Sequence, residues 1–135
     1  MRGTFPTVAL AAMLAAASAA AEDCDSAETQ ADMTACADAA YRAADAKLNA
    51  AYKAIASRLT DDADARKLLV AAERAWIAFR DAECAFATSA ASGGSIQPML
   101  VASCRERLTA ARATDLESYL HCEEGDLACP VPPGE

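Results

Sequence analysis

The sequence is poor in the side chains and motifs on which most enzymes depend. It has a single histidine, His121, and no H-E-x-x-H or E-x-x-H metal pattern. It also lacks a glycine-rich phosphate loop, a G-x-S-x-G nucleophile elbow and any C-x-x-C pair. We therefore predict a protein that is not an enzyme, with no catalytic residues, no cofactor and no metal site.

Glycine and proline are also scarce, at five residues each, and few of them precede Gly93. Alanine is abundant instead, which favours helix. In three stretches the apolar residues recur at the spacing of a helix, and strand alternation does not fit them. The predicted apolar faces are Tyr41, Leu48, Tyr52, Ile55 and Leu59 in the first stretch, Leu69, Ala72, Trp76, Phe79 and Phe86 in the second, and Leu100, Cys104, Leu108 and Ala111 in the third.

Local signals place the ends of these three helices. Thr29, with Asp32 three residues later, is a candidate N-cap for the first helix, and residues 60–62 interrupt the pattern and cap the second. Residues 92–95 end the second helix, and Pro98 suits the first turn of the third. Because both connections are short, neighbouring helices should be antiparallel. The predicted fold is all-α: a three-helix antiparallel bundle braced by disulfides, with a short irregular C-terminal tail.

The first residues are typical of an export signal. Arg2 is followed by an uncharged apolar run over residues 8–17 and by small residues at 18–21, where a signal peptidase would cut. We predict a signal peptide at residues 1–21, a helical domain at 22–122 and an acidic, proline-rich tail at 123–135. Cys24 follows two acidic residues, which disfavours lipidation. The mature protein is thus expected to be periplasmic or secreted, without a stable membrane anchor.

An even number of cysteines in an exported chain favours disulfides. All six lie after the predicted signal: Cys24, Cys36, Cys84, Cys104, Cys122 and Cys129. At about 1.5 Å per residue, antiparallel helices bring Cys36, Cys84 and Cys104 to one end of the bundle. The favoured pairs are Cys84–Cys104, Cys24–Cys36 and Cys122–Cys129. A bond from Cys36 to Cys84 or Cys104 stays open, because spacing does not fix connectivity.

Charge narrows the choice of partners. The net charge is −8, and the predicted signal contributes one positive charge and no acids, so the mature domain is near −9. Such a domain repels nucleic acid and anionic membrane surfaces. The balance favours either a cationic partner or simple solubility.

The most informative segment is residues 76–84, with the sequence WIAFRDAEC. Trp76 and Phe79 fall on the predicted buried face, and Arg80 can stack on the indole or form a forked pair with a carboxylate. Neighbours expected from the other helices are Asp45, Asn49, Arg112 and Glu117. We interpret Trp76, Phe79, Arg80, Asp81 and Arg112 as one cluster. It is either an ion pair that fixes helix register or the wall of a recognition groove.

This segment and several others resemble a known family. They are Cys24, residues 29–36 (TQADMTAC), residues 45–52 (DAKLNAAY), residues 76–84, residues 93–95 (GGS), Cys104 and Arg112. Together they resemble the lysozyme-inhibitor LprI-like N-terminal domain family of exported bacterial proteins, over about residues 24–122. Two features depart from the family's mycobacterial lipoprotein namesake: the placement of Cys24, and the added Cys122 and Cys129 with their acidic tail.

The resemblance implies a binding protein that inhibits a lysozyme-type muramidase, with a cationic lysozyme-type protein as its partner. An inhibitor needs a protruding element to block the enzyme's cleft. We favour the turn formed by Ser92, Gly93, Gly94 and Ser95 over the acidic loop at residues 123–126, which catalytic carboxylates would repel. The alternative is a periplasmic interaction or envelope-stress protein without lysozyme inhibition.

Overall fold

The computed structural model describes residues 24–134. Within that range the chain forms three α-helices, followed in two cases by a short 3-10 turn. They are α1 (Gln30–Arg58), α2 (Ala63–Ala87) with the turn Ser89–Ala91, and α3 (Gln97–Ser118) with the turn Tyr119–His121. The predicted all-α fold is confirmed. The predicted signal peptide, residues 1–21, lies outside the described residues.

Side-chain caps begin the first two helices where the sequence predicted them. The Asp32 N–H donates to the Thr29 hydroxyl at 3.1 Å, and the Ala65 N–H donates to the Asp62 carboxylate at 2.9 Å. The third helix has Pro98 in its first turn, where a missing N–H costs little. These local signals fix where each helix begins.

Helices α1 and α3 run parallel, and α2 runs antiparallel to both. At one end the Gln30 amide lies 3.6 Å from the Met99 sulfur, and at the other Arg58 donates to the Leu120 carbonyl at 2.8 Å. Helices α1 and α3 pack closely along their lengths, α2 contacts α3 more sparsely, and α1 meets α2 least. The predicted three-helix bundle is therefore confirmed, with α1 and α3 as its tightest pair.

Small residues explain why α1 and α3 approach so closely. Alanine and threonine side chains let two helix backbones pack close together. Larger apolar residues fill the space near the C-terminal ends of the two helices. The buried residues of this seam are Ala44, Leu48, Ala51, Ile55, Ala102, Thr109, Ala113 and Leu116. The face predicted for α3 was therefore wrong in part: Leu100, Cys104 and Leu108 are half-buried and Ala111 is exposed. On α3 the buried residues are Ala102, Thr109, Ala113 and Leu116, whereas the predicted Leu100 and Leu108 lie at the edge of the seam.

The face predicted for α2 also requires correction. Its buried residues are Glu73, Arg80 and Cys84, whereas Phe79 and Phe86 are 55% and 77% exposed. The physical reason is that polar and covalent links to α3 orient this helix. Because successive residues turn by about 100°, burying Arg80 carries its neighbour Phe79 away from the bundle.

Three disulfides brace the bundle: Cys24–Cys36, Cys84–Cys104 and Cys122–Cys129. Their Cα atoms are 5.6, 5.6 and 5.8 Å apart, within the usual range for a disulfide. The first bridge ties the N-terminal segment to α1, the second joins α2 to α3, and the third closes a loop after α3. These are the pairs that the spacing favoured.

The segment after α3 is irregular but folds back on the core. Val131 is 3% exposed and belongs to the same apolar cluster as Ile55, Leu59 and Leu116. Gly125 takes a positive φ of 86° in the turn that reverses the chain. The boundary between a helical domain and a tail at residue 122 remains a prediction. Val131, which lies beyond that boundary, packs in the core of the helical domain.

Candidate functional site

Arg80 lies at the centre of a polar cluster that joins all three helices. We call it the Arg80 cluster, and its members are Tyr41, Trp76, Arg80, Asp81 and Arg105. Helix α2 places Trp76 one turn before Arg80, so the guanidinium lies 5.2 Å from the indole centre. It also lies 5.5 Å from the ring of Tyr41 on α1. Arg80 itself is only 7% exposed. A planar guanidinium between two aromatic rings is a geometry that lysine does not reproduce.

Asp81 supplies the countercharge of this cluster and links two helices. Its Oδ1 accepts from Arg80 Nε at 3.0 Å, lies 3.0 Å from Arg80 Nη2, and forms an ion pair with Arg105 Nε of α3 at 3.3 Å. The carboxylate is partly exposed, so it neutralises the buried arginine without a full desolvation cost. The forked pair expected for Arg80 is thus made with its own sequence neighbour.

Arg112 does not contact Arg80. It pairs with Glu73, one of the two charged residues that α2 buries, through Nε at 2.8 Å and Nη2 at 2.5 Å to the same oxygen, Oε1. The neighbours expected for Arg80 elsewhere are also engaged differently, since Asn49 donates to Asp45 at 2.8 Å and Glu117 is exposed. Arg112 therefore forms a second α2–α3 link, separate from the Arg80 cluster.

The structure brings together Trp76, Arg80 and Asp81 from the predicted cluster and leaves Phe79 outside it. Sequence reasoning had missed the roles of Tyr41, Glu73 and Arg105. Glu73 lies seven residues before Arg80 and so on the same face of α2. Arg105 follows Cys104, whose bridge to Cys84 brings it near Asp81. Both positions could have been found by measuring helical spacing from Arg80 and from the disulfide.

The predicted binding turn at residues 92–95, which we call the Gly-Gly loop, lies fully exposed between α2 and α3. Gly93 has a positive φ of 78° with no atom near its missing side chain, and its N–H donates to the Gln97 side chain at 3.0 Å. The Gly94 N–H donates to the Ala91 carbonyl at 2.9 Å. The loop is therefore held by hydrogen bonds within residues 91–97. The Cys84–Cys104 bridge joins the two helices that flank it.

The described part of the chain offers little that would hold a metal. Within residues 24–134, no three His, Cys, Asp or Glu side chains gather as a metal site requires. His121 is exposed at the end of the turn after α3. Over the same residues, no helix has the combination of length and hydropathy needed to cross a membrane.

Comparison with known proteins identifies a family and a relative for this chain. The family model described as lysozyme inhibitor LprI matches residues 11–116, which include all three helices except the last two residues of α3. An uncharacterised protein of Rhizobium meliloti (strain 1021) is 38% identical over 138 residues, covering 92% of this chain and 99% of that protein. No solved structure matches. On the family match and this relative, the chain belongs to the lysozyme inhibitor LprI family.

Proposed function

We propose that the mature domain is an exported inhibitor of a lysozyme-type muramidase, which acts by binding and catalyses no reaction. Its membership of the lysozyme inhibitor LprI family supports this function. The observation that carries the proposal is an uncharged loop segment on an acidic body. Residues 85–103, which surround the Gly-Gly loop, contain no charged side chain, although the chain has a net charge of −8.

This charge distribution suits an enzyme of that class. Lysozyme-type enzymes cut glycosidic bonds with a pair of carboxylates, so their clefts are acidic, while their overall surfaces are typically cationic. An acidic body would raise the association rate through long-range attraction. A neutral loop can then approach the catalytic carboxylates without like-charge repulsion. The Gly-Gly loop is neutral and belongs to an acidic domain, so it allows both the long-range attraction and the close approach. The acidic loop at residues 123–126 would add to the attraction, but the catalytic carboxylates would repel it.

The stiffness of the loop also supports the proposal. A loop that is ordered before binding loses less conformational entropy when it enters a cleft. Besides the contacts of Gly93 and Gly94, the Thr88 hydroxyl donates to the Cys84 carbonyl at 2.8 Å and is buried. The Cys84–Cys104 bridge joins the helices at the base of this segment. These contacts restrict the conformations open to the loop.

One observation favours the alternative, a periplasmic interaction or envelope-stress protein without lysozyme inhibition. Tyr41 lines an open cleft of about 390 Å³ between α1 and α3, together with Asp38, Pro98 and Arg105. Such a cleft, with an aromatic wall and charges of both signs, could hold a segment of another envelope protein.

A lytic assay separates the two functions and tests the loop. The oxidised mature domain would be titrated into cationic lysozymes of several types at low and high salt. The variant S92E/S95E places two acids on the loop, and we expect it to weaken inhibition by about tenfold or more. The control S57E/T114E adds the same charges at exposed positions near the other end of the bundle and should inhibit like the unmodified domain.

Each result has a defined meaning. Inhibition that weakens with salt and is lost in S92E/S95E alone supports the proposal. Equal inhibition by both variants would mean that another surface binds the enzyme. If no lysozyme is inhibited at either salt concentration and none co-purifies with the domain, the inhibitor function is wrong, and the alternative stands.

A further inference from the structure

The outer face of α2 is apolar and uncovered in the described part of the chain. Leu68, Phe79 and Phe86 are 72%, 55% and 77% exposed. Six alanines surround them and are exposed as well: Ala71, Ala72, Ala75, Ala78, Ala82 and Ala85. None of these nine residues is charged. A contiguous exposed apolar patch of this kind is typical of an interaction surface, whereas scattered single apolar residues are not.

The large and small residues on this face follow a regular stripe along the helix. Its members are Leu68, Ala72, Ala75, Phe79, Ala82 and Phe86, at steps of four, three, four, three and four residues. This is the spacing of a seam between two paired helices. At about 1.5 Å per residue the stripe is about 27 Å long. It lies roughly a third of a turn away from Arg80 and Cys84, which face the bundle.

The stripe has a property that points to one occupant: its spacing reads the same in both directions about residue 77. An antiparallel copy of α2, related by a two-fold axis at that level, therefore matches it position for position. The pairs across the axis are Leu68 with the partner's Phe86, Ala72 with the partner's Ala82, and Ala75 with the partner's Phe79. A two-fold interface requires such a self-complementary surface. We propose that α2 mediates an antiparallel homodimer.

The shape of the surface at Leu68 supports this arrangement. There the stripe opens into a mostly apolar groove of about 220 Å³, whose walls include Leu68, Ala72, Tyr119 and Val131, with Arg112 as its charged member. In the antiparallel register the partner's Phe86 lies opposite this groove. Phe86 is the most exposed of the large stripe residues. Each Phe86 thus fills the groove of the other copy, twice per dimer.

Charge and area set the expected strength. Because the nine residues are neutral, two acidic copies can meet on this face without apposed charges. The stripe offers three large exposed side chains among small alanines, so we expect a buried area below the roughly 800 Å² per partner of a standard stable interface. We therefore expect a reversible, concentration-dependent dimer and not an obligate one.

Sedimentation equilibrium of the oxidised mature protein from about 1 to 500 µM tests the dimer. The average mass of the unmodified protein should rise with concentration toward twice the monomer mass. F79E and F86E should stay monomeric, with unchanged helical circular dichroism. The matched control is I77E, which changes a 43% exposed apolar residue of the same helix outside the stripe and should dimerise normally. A monomer at every concentration, or equal dimerisation of F79E, F86E and the unmodified protein, would overturn the proposal.

Cross-linking tests the register. In the antiparallel arrangement the double variant A72C/A82C places new cysteines opposite each other, so oxidation should yield a covalent dimer on a non-reducing gel. A72C alone should not, because its two copies are about 15 Å apart along the axis. Efficient cross-linking of A72C alone would overturn the antiparallel register. If the unmodified protein is monomeric and F79E instead abolishes lysozyme inhibition, the stripe binds the enzyme and not a second copy.

Discussion

Arg112 on α3 donates two hydrogen bonds to one carboxylate oxygen of Glu73 on α2, at 2.8 Å and 2.5 Å. The other oxygen, Oε2, is buried and has no hydrogen-bond partner among the described residues. Glu73 therefore depends on Arg112 for its countercharge. This pair and the Arg80 cluster are the two polar links that set the rotation of α2 against the other helices.

Replacing Arg112 by alanine should lower the free energy of unfolding by about 3–5 kcal/mol, because it leaves a buried carboxylate without a partner. Urea unfolding followed by circular dichroism measures the change. The double variant E73L/R112M removes both charges and should regain most of that loss. The control K67A breaks the exposed Lys67–Asp64 pair and should change stability by no more than about 0.5 kcal/mol. A similar small effect of R112A would contradict the assigned pairing.

Arg80→Lys keeps the charge but loses the planar group between Tyr41 and Trp76. We expect a loss of about 1–2 kcal/mol in unfolding free energy and a changed emission of the single tryptophan, Trp76. Arg74→Lys makes the same substitution at an exposed position of α2 and should leave both measurements unchanged. Identical behaviour of the two variants would show that the stacking contributes nothing.

The disulfides should contribute differently to the free energy of unfolding, because the loops they close differ in length. Cys84 and Cys104 are 20 residues apart, and Cys122 and Cys129 are seven apart. Chain-entropy arguments then predict a loss of about 3 kcal/mol for C84A/C104A and about 2 kcal/mol for C122A/C129A. Because Cys84 is fully buried, the cavity left by alanine should widen the difference. Urea unfolding of both variants tests this order, and a larger loss for C122A/C129A would reverse it.

Val131 should behave as a core residue although it lies in the irregular tail. Its substitution by alanine removes buried methyl groups beside Ile55 and Leu59 and should cost about 1–2 kcal/mol. Leu127 lies in the same segment but is fully exposed, so Leu127→Ala should be neutral within about 0.5 kcal/mol. The melting temperatures of the two variants compare them directly. Equal values would mean that the tail does not stabilise the bundle.

Much of this architecture follows from short-range rules. The caps at Thr29 and Asp62 and the position of Pro98 depend only on nearby residues, so the starts of the helices were predictable. The end of α2 was not, because α2 stops at Ala87 and a 3-10 turn precedes the predicted stop at residues 92–95. The constant rise of a helix also places Cys84 level with Cys104 once the connections are known to be short. The contact of Arg80 with Trp76 is local too, since the two residues are four apart on one helix.

What the sequence determined by itself is thus the helices, their antiparallel course and the level of each residue along the bundle. The inward face of α1 also followed from the sequence, since Leu48, Ile55 and Leu59 are buried as predicted. Only the tertiary structure decided which sides of α2 and α3 face inward. Many positions of α2 and α3 are alanine, so hydrophobic burial differs little between one rotation and another. The choice falls to contacts between distant residues: the Cys84–Cys104 bridge, the Glu73–Arg112 pair and the stacking of Arg80 on Tyr41. Those contacts buried two charged residues and turned Phe79 and Phe86 toward solvent.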